Sequence, residues 1–366
     1  MAEHRLDPPV RKRLVDAPET GHNRWHPDIP PALEVKSGDE ILVDCRDGID
    51  GQILPTMSDA DLANVDFDAP HPMTGPIYVK GAKPGDVLQV DILDVRTDTF
   101  GSTAIVPGFG LLADRFPDYF LVTWGLHDGC ATSGRIPGVS IPADPFVGVI
   151  GVAPSAERLA FWNTREAAVN ALPPTAHSAI PATEPIASTG ARTIPPRELG
   201  GNLDVPQVRA GSSIFFPVDV PGALLSLGDV HFCQGDGEVC AFAIETHGQV
   251  RIRVSVLRDV KHRPNTPLIE STEPAFRARR HVSTTGLPID AQGQIRPMDT
   301  TLAAQNAIEA MIQWLGDEVG LSREQAYVLC SATVDLRISE IVDVPNPVVS
   351  ALCPLDIFTE IRETRG

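Results

Sequence analysis

Aromatic residues make up only 5 % of this 366-residue chain. No stretch approaches the roughly eighteen consecutive apolar residues of a membrane-spanning helix. The opening residues, Met1-Ala-Glu-His-Arg-Leu-Asp-Pro-Pro9, hold no apolar segment of the kind that heads a secretory signal. Positive charge is scarce: 30 Lys and Arg face 48 Asp and Glu, a formal net charge of −18. Such a surface repels phosphodiester backbones and anionic lipid, so neither nucleic acid nor a membrane is an expected partner. Cysteine is sparse too. Cys45, Cys130, Cys233, Cys240, Cys330 and Cys353 form no C-x-x-C pair and are too few for a disulfide framework. These absences predict a cytoplasmic protein with reduced thiols. Walker, G-x-S-x-G and H-E-x-x-H motifs are missing, and Gly108-Phe109-Gly110 does not complete a G-x-G-x-x-G loop.

Proline and glycine, by contrast, are plentiful at 34 and 30 residues, and 42 % of the chain is apolar. That balance supports a packed core of short strands joined by turns rather than long helices. Strands are expected at 40–45, 76–80, 87–93, 120–124, 146–152, 213–218, 223–227, 239–246 and 249–257. The clearest alternation sets Val250, Ile252, Val254 and Val256 against Arg251, Arg253 and Ser255. Strands at short intervals with Pro/Gly turns indicate a mainly β fold, a sandwich or barrel. Residues 155–195 interrupt this pattern with a weakly helical piece at 164–172 and a Pro-rich stretch, and are expected to form an insertion or lid. Near the C-terminus, Ala304, Ile308, Met311 and Leu315 make a helical stripe with Thr300 or Thr301 as N-cap. Ser322-Arg-Glu-Gln325 has capping-box spacing, and Val334, Leu336 and Ile338 alternate as a strand. The basic run Arg277-Ala-Arg279-Arg280-His281 reads as a solvated or salt-bridged segment.

The densest polar constellation is Gly228-Asp229-Val230-His231-Phe232-Cys233-Gln234-Gly235-Asp236-Gly237-Glu238. In a regular hairpin Asp229 and His231 share one face of the incoming strand, and Asp236 and Glu238 are related in the same way on the outgoing side. Crowded carboxylates need a cation, protons or hydrogen-bond donors, and an imidazole among them suits a zinc-like ion. A solvated turn rich in Asp-Gly is the competing reading. A second cluster, Gly200-Gly201-Asn202-Leu203-Asp204, puts Asn202 and Asp204 on one face or forms an ordinary turn. Asp47 and Asp50 cap a turn or complete a metal site, and local sequence leaves both open. His71, in a rigid Pro-flanked turn, reads as structural or exposed. Cys233 lies two residues from His231 but is expected to be a small core residue rather than a nucleophile.

The chain resembles the acetamidase/formamidase family over nearly its whole length. The resemblance rests on Asp47 with Gly51-Gln52, His71-Pro-Met-Thr-Gly-Pro-Ile-Tyr-Val79 and Pro84-Gly85-Asp86. It continues through Gly148–Pro154, Pro196–Asp204, Pro217-Val218, Pro221–Glu238, Leu321–Tyr327 and Val342–Asn346. It implies one unit spanning 1–366: an N-terminal β part to 154, the 155–195 insertion, a β part at 196–270 and an α/β part at 271–366. It implies a jelly-roll-like β-sandwich or barrel with that appended α/β part, a homo-oligomer, and a divalent metal in some members. The implied reaction is hydrolysis of a short aliphatic amide, such as formamide or acetamide, to carboxylate and ammonia.

Asp47, Asn202, Asp204, Asp229, His231, Asp236 and Glu238 become the site candidates. Amide hydrolysis needs an activated water and a stabilised oxyanion, which a divalent ion supplies. On this reading Asp47, Asp229 and His231 hold the metal, zinc with calcium as the other choice. Glu238, or Asp236, is the general base, and Asn202, Asp204 and Gln234 contact substrate. Lys80 and Lys83 stand where the family often has Glu, and Cys233 where it often has Ala. Phe161, Trp162 and Leu159 of the insertion are expected to pack over the cleft or across a subunit contact and to bias the enzyme away from the smallest amide. The alternative from another class is a non-catalytic, Ca²⁺-binding β-sandwich module, which His231 fits poorly because Ca²⁺ prefers oxygen ligands.

Overall fold

The computed structural model describes residues 2–169, 178–272 and 280–359. The Pro173-Pro174 stretch and most of the basic run, Arg277 to Arg279, lie outside the described residues.

The alternating segments pair into sheets, as period-2 patterning requires when one face is buried. The first sheet has six strands in the order Glu3–Leu6, Glu40–Cys45, Gly248–Leu257, Val87–Thr97, Ser213–Pro217 and Leu268–Glu270. Its inward residues, among them Ile41, Val43, Val90, Val250, Ile252 and Val254, are fully buried. They share one core with Val147, Val149, Leu225, Leu227 and Ile77 of the second sheet. The second sheet runs Ile136–Pro142, Cys130–Ser133, Phe120–His127, Phe100–Ile105, Glu245–Thr246, Leu225–His231, Phe146–Val152 and Gly200–Asn202. Met73–Lys80 also pairs with Leu225–His231 and, in parallel, with Leu33–Lys36. Among the described residues neither sheet closes on itself, so the mainly β expectation holds and the barrel form of it does not.

The far end of the second sheet packs on the C-terminal part, where a second core joins Trp124, Leu121 and Phe242 to Ile308, Met311, Tyr327 and Leu329. Helix Thr300–Val319 buries Ile308, Met311 and Leu315 as the stripe predicts. Its cap is Asp299, not Thr300 or Thr301: the helix begins one residue earlier, and the Asp299 carboxylate accepts from the Leu302 N–H. Ser322 and Gln325 form the expected capping box of helix Arg323–Thr333. Asp335–Glu340 then pairs with Val348–Pro354, which also pairs with His281–Gly286.

Two elements depart from the sequence reading. The strand expected at 239–246 shrinks to Glu245–Thr246. Residues 232–244 form a loop instead, because Glu238 and Ala241 take positive φ (42° and 68°) and break the extended run. This loop docks on the C-terminal part: Gly235 N–H donates to the Ser331 carbonyl, and Cys240 N–H to Ser331 Oγ. The insertion's helix spans Ala156–Ala167, upstream of the expected 164–172, because Ser155 caps it by accepting from the Arg158 N–H. Leu159 and Trp162 turn into the core of the two sheets and Phe161 points to solvent, so none of the three covers the cleft.

The same helix carries a buried ion pair. Arg197 Nε and Nη2 donate to the two Glu166 carboxylate oxygens at 2.6 and 2.7 Å, and Nη1 donates to the Arg192 and Pro195 carbonyls. The pair pins the segment that leads to Asn202 and Asp204. Removing one partner strands a buried charge. Glu166→Ala is therefore expected to lower the unfolding free energy by about 3–5 kcal/mol, measured by chemical denaturation.

Candidate active site

The site is built on the strand Leu225–His231. One neighbour places Phe146 opposite His231 and Val149 opposite Gly228; the other places Glu245 opposite His231. Asp229 and His231 project on the same face, as the i, i+2 spacing predicts. Glu245 arrives from across the ladder. His231 Nε2 lies 3.3 Å from Asp229 Oδ2, 3.3 Å from Glu245 Oε2 and 4.0 Å from Asp204 Oδ1. Ligand atoms of Asp204, Asp229 and His231 all lie within 4.8 Å of one another, as do those of His231, Glu238 and Glu245.

The room for this cluster comes from two glycines. A Cβ on Gly148 would stand 2.7 Å from Asp204 Oδ1, 2.9 Å from Asp229 Oδ2 and 2.9 Å from His231 Cε1. A Cβ on Gly48 would collide with the Asp229 carboxylate. Asp204, Asp229 and Glu238 all sit at positive φ (48°, 56° and 42°), a conformation side-chain-bearing residues seldom adopt and one that concentrates at functional sites.

The imidazole is oriented from behind. Gln234 Oε1 lies 2.9 Å from His231 Nδ1, and Gln234 Nε2 donates to the Asp204 carbonyl at 3.0 Å. With the amide nitrogen so engaged, Oε1 accepts from Nδ1–H, and Nε2 is the ring atom aimed into the cluster. Phe146 packs edge-on against the ring, centroids 4.9 Å apart. Oδ1 of Asp204 and Oδ1 of Asp229 are buried without a hydrogen-bond partner, and His231 Nε2 has only its 3.3 Å ion-pair contacts with Asp229 and Glu245.

The electrostatics follow from crowding. Burial, with Asp229 close by, pushes the Glu245 carboxyl up to about 8 against the pull of His231. Burial also raises Glu238 to about 8, with Glu245 and Asp229 adding to the rise. Asp204 is raised well above the carboxylate range by burial and by Glu238. Burial works against the charged forms of His231 and Asp229 too. Glu245 and Asp229 nevertheless raise His231 well above an ordinary histidine, and His231 and His71 hold Asp229 well below an ordinary aspartate. Carboxyl groups outnumber their partners here, and three of the four are pushed toward the neutral form.

Above the cluster, a floor pocket of about 50 Å³, lined by Asn202, Asp204, Asp229, Glu238 and Glu245, opens into an outer pocket of about 140 Å³. His71, Asn202, Glu238 and Ile49 line both. The outer wall is apolar, with Phe67, Phe109, Phe242, Val106 and Ile194.

The sequence candidates divide accordingly. Asp229, His231, Glu238, Asp204 and Asn202 come together. Asp47 does not join them: its Oδ1 accepts from the Ile49 and Gly51 N–H groups, building the turn that holds Gly48 against Asp229. Asp236 is also set apart, its backbone N–H and carbonyl engaging Asp335 and Leu336. Gln234 orients His231 instead of substrate. Cys233 belongs to the apolar core beneath the loop. Two members were missed. Glu245 is invisible locally because it joins through cross-strand register. His71, whose N–H is held by Thr193 Oγ1, has Nε2 4.0 Å from Asp229 Oδ2 and lines both pockets rather than an exposed turn.

The model of the acetamidase/formamidase family matches residues 9–360. A formamidase of Methylophilus methylotrophus is 38 % identical over 364 residues, covering 92 % of this chain and 89 % of that protein. An acetamidase of Mycolicibacterium smegmatis is 38 % identical over 357 residues, covering 87 % and 86 %. Among solved structures, a gamma lactamase from Delftia acidovorans superposes with a TM-score of 0.92 at 35 % identity, covering 97 % of this chain and 93 % of that one. A predicted acetamidase/formamidase from Thermoanaerobacter tengcongensis gives 0.59 at 26 % identity, covering 97 % and 96 %. This chain belongs to the acetamidase/formamidase family.

Proposed function

We propose that this amide hydrolase cleaves a short amide to carboxylate and ammonia with a water activated in the Asp204–Asp229–His231 cluster and a divalent ion held there. The observation that carries the reading is the convergence of buried ligand groups: ligand atoms of Asp204, Asp229 and His231 lie within 4.8 Å of one another, and Asp204 Oδ1 and Asp229 Oδ1 have no hydrogen-bond partner. The set fits a cation. It crowds four carboxyl groups whose ionisation a cation would favour, its imidazole is oriented by a second residue as metal-binding histidines are, and glycines keep the space clear. Asp204, Asp229 and His231 would hold the ion, with Glu245 also beside His231 Nε2. A nitrogen donor among carboxylates favours zinc over calcium. When bound, such an ion lowers the pKa of a water to about 7 and polarises a carbonyl.

The chain's own groups complete the chemistry. Asn202, which lines both pockets and whose Oδ1 has no hydrogen-bond partner, accepts an N–H from the substrate carboxamide. His71 stands where the carbonyl oxygen enters and donates to it. Glu238, at the boundary of the two pockets, takes the proton from the attacking water and delivers it to nitrogen as the C–N bond breaks. The oxygen of that water ends in the carboxylate, and nitrogen leaves as ammonia. Residues Ile338, Ile341, Val342 and Val344, exposed by 49–76 %, support a homo-oligomer. The central imidazole speaks against the calcium-binding module.

Three outcomes are expected when ammonia release from formamide and acetamide is followed. Chelation lowers kcat by at least about a hundredfold, and one equivalent of zinc restores it. Full activity in demonstrably metal-free protein would exclude the ion. Glu238→Gln lowers kcat by about 10²–10⁴-fold while KM moves much less, the signature of proton transfer rather than binding. Cys233→Ala keeps turnover within about twofold, since the thiol packs in the core and no acyl-thiol is formed.

A further inference from the structure

We propose that this enzyme selects amides whose acyl group is apolar and about the size of a phenyl ring, an inference that rests on the amide-hydrolase reading and names its substrate class. The floor pocket, about 50 Å³, accommodates the carboxamide among Asn202, Glu238 and the cluster. Formamide needs nothing more. Yet the floor pocket shares His71, Asn202, Glu238 and Phe242 with an adjoining pocket of about 140 Å³, whose remaining walls include Phe67, Phe109, Val106 and Ile194. An apolar cavity of about 150 Å³ is the size that takes up benzene. Wetting such walls is unfavourable, so a substrate that leaves them bare forgoes binding energy that a ring-sized group would gain.

The aromatic wall is arranged to receive a ring. Phe67 stands with its centroid 6.5 Å from Phe109, tilted by 35°, and 6.5 Å from Phe242, perpendicular to it. Both spacings fall in the range of favourable aromatic pairs, so the three rings pack as one cluster that offers an aromatic wall against which a further ring can lie. The three phenylalanines come from separate loops, so no single amphipathic element accounts for their meeting. Phe109 lies between Gly108 and Gly110, both at positive φ (86° and 92°), in a turn that holds the ring at the pocket mouth with 46 % of its surface exposed. Ala241, the smallest side chain shared by both pockets, leaves room where they adjoin. With the carboxamide anchored at Asn202 and Glu238, the substituent on the carbonyl carbon extends among these rings.

The test compares ammonia release from formamide, acetamide and benzamide by the metal-loaded protein and by two variants checked for folding by circular dichroism. Native protein is expected to show a kcat/KM for benzamide at least about tenfold above that for formamide. Ile194→Trp fills the outer pocket and is expected to move the benzamide-to-formamide ratio at least about tenfold toward formamide. Phe109→Ala, at an exposed position, moves it in the same direction by about threefold or more and carries the test should the tryptophan variant not fold. Preference of the native protein for formamide, or a ratio that neither folded variant moves, overturns the inference while leaving the hydrolase reading intact. Release of ammonia from none of the amides overturns both.

Discussion

Four carboxyl groups and a histidine ring share one buried space, and their mutual repulsion is the constraint around which this molecule is organised. Asp204, Asp229, Glu238 and Glu245 come from four places in the chain, and extended or looped peptide must return to the same point each time. The strand Leu225–His231 supplies the fixed pair. The ladder adds Glu245 by register, and the 232–244 loop brings Glu238 back by leaning on Ser331. The segment behind Arg197 adds Asp204. Elsewhere such crowding would be relieved by solvent. Here Gly148, Gly48 and a wall of strands hold the groups together, and three of the four carboxyl residues stay in a backbone conformation they would not choose alone. Folding energy drawn from the two apolar cores is what sustains that arrangement.

The two cores meet at the site. One joins the faces of the two sheets; the other joins the second sheet to the C-terminal helices and lends Ile49, Val106 and Phe242 to the wall of the cleft. This division separates the chemistry of the floor from the apolar walls of the mouth. Polar groups that must act on an amide stay out of bulk water, where each electrostatic contact is stronger. Apolar groups line the outer part of the cleft. The ion pair of Glu166 and Arg197 belongs to the same plan, since it fastens the helix of the 155–195 segment and the approach to Asn202 together.

Much of this was legible in the sequence because it is local. Period-2 alternation at 249–257 and 146–152 marks strands of both sheets, and Ser322 with Gln325 marks a helix start. Asp229 and His231 declare a shared face by spacing alone. What was hidden depends on distance. Glu245 is a ligand candidate only through its pairing with His231, which no stretch of sequence displays. Asp47 shows the opposite: an acidic residue in a glycine-rich motif reads as a ligand, yet its carboxylate is satisfied by the turn it closes. Gln234 looks like a substrate contact until both ends of its amide are accounted for. His71 looks like a surface histidine because the segment at Thr193 that encloses it lies more than a hundred residues away.

The central claim is that the crowded carboxylates and Nε2 of His231 are reconciled by a bound divalent ion. Anomalous diffraction from crystals of the zinc-loaded enzyme, recorded on both sides of the zinc absorption edge, tests it most directly. The account predicts a single strong peak at zinc–ligand distance, about 2.0–2.2 Å, from His231 Nε2 and from carboxylate oxygens of Asp204 and Asp229. A cluster without a peak in fully active protein, with the four carboxyl groups bridged by protons and water alone, would contradict it.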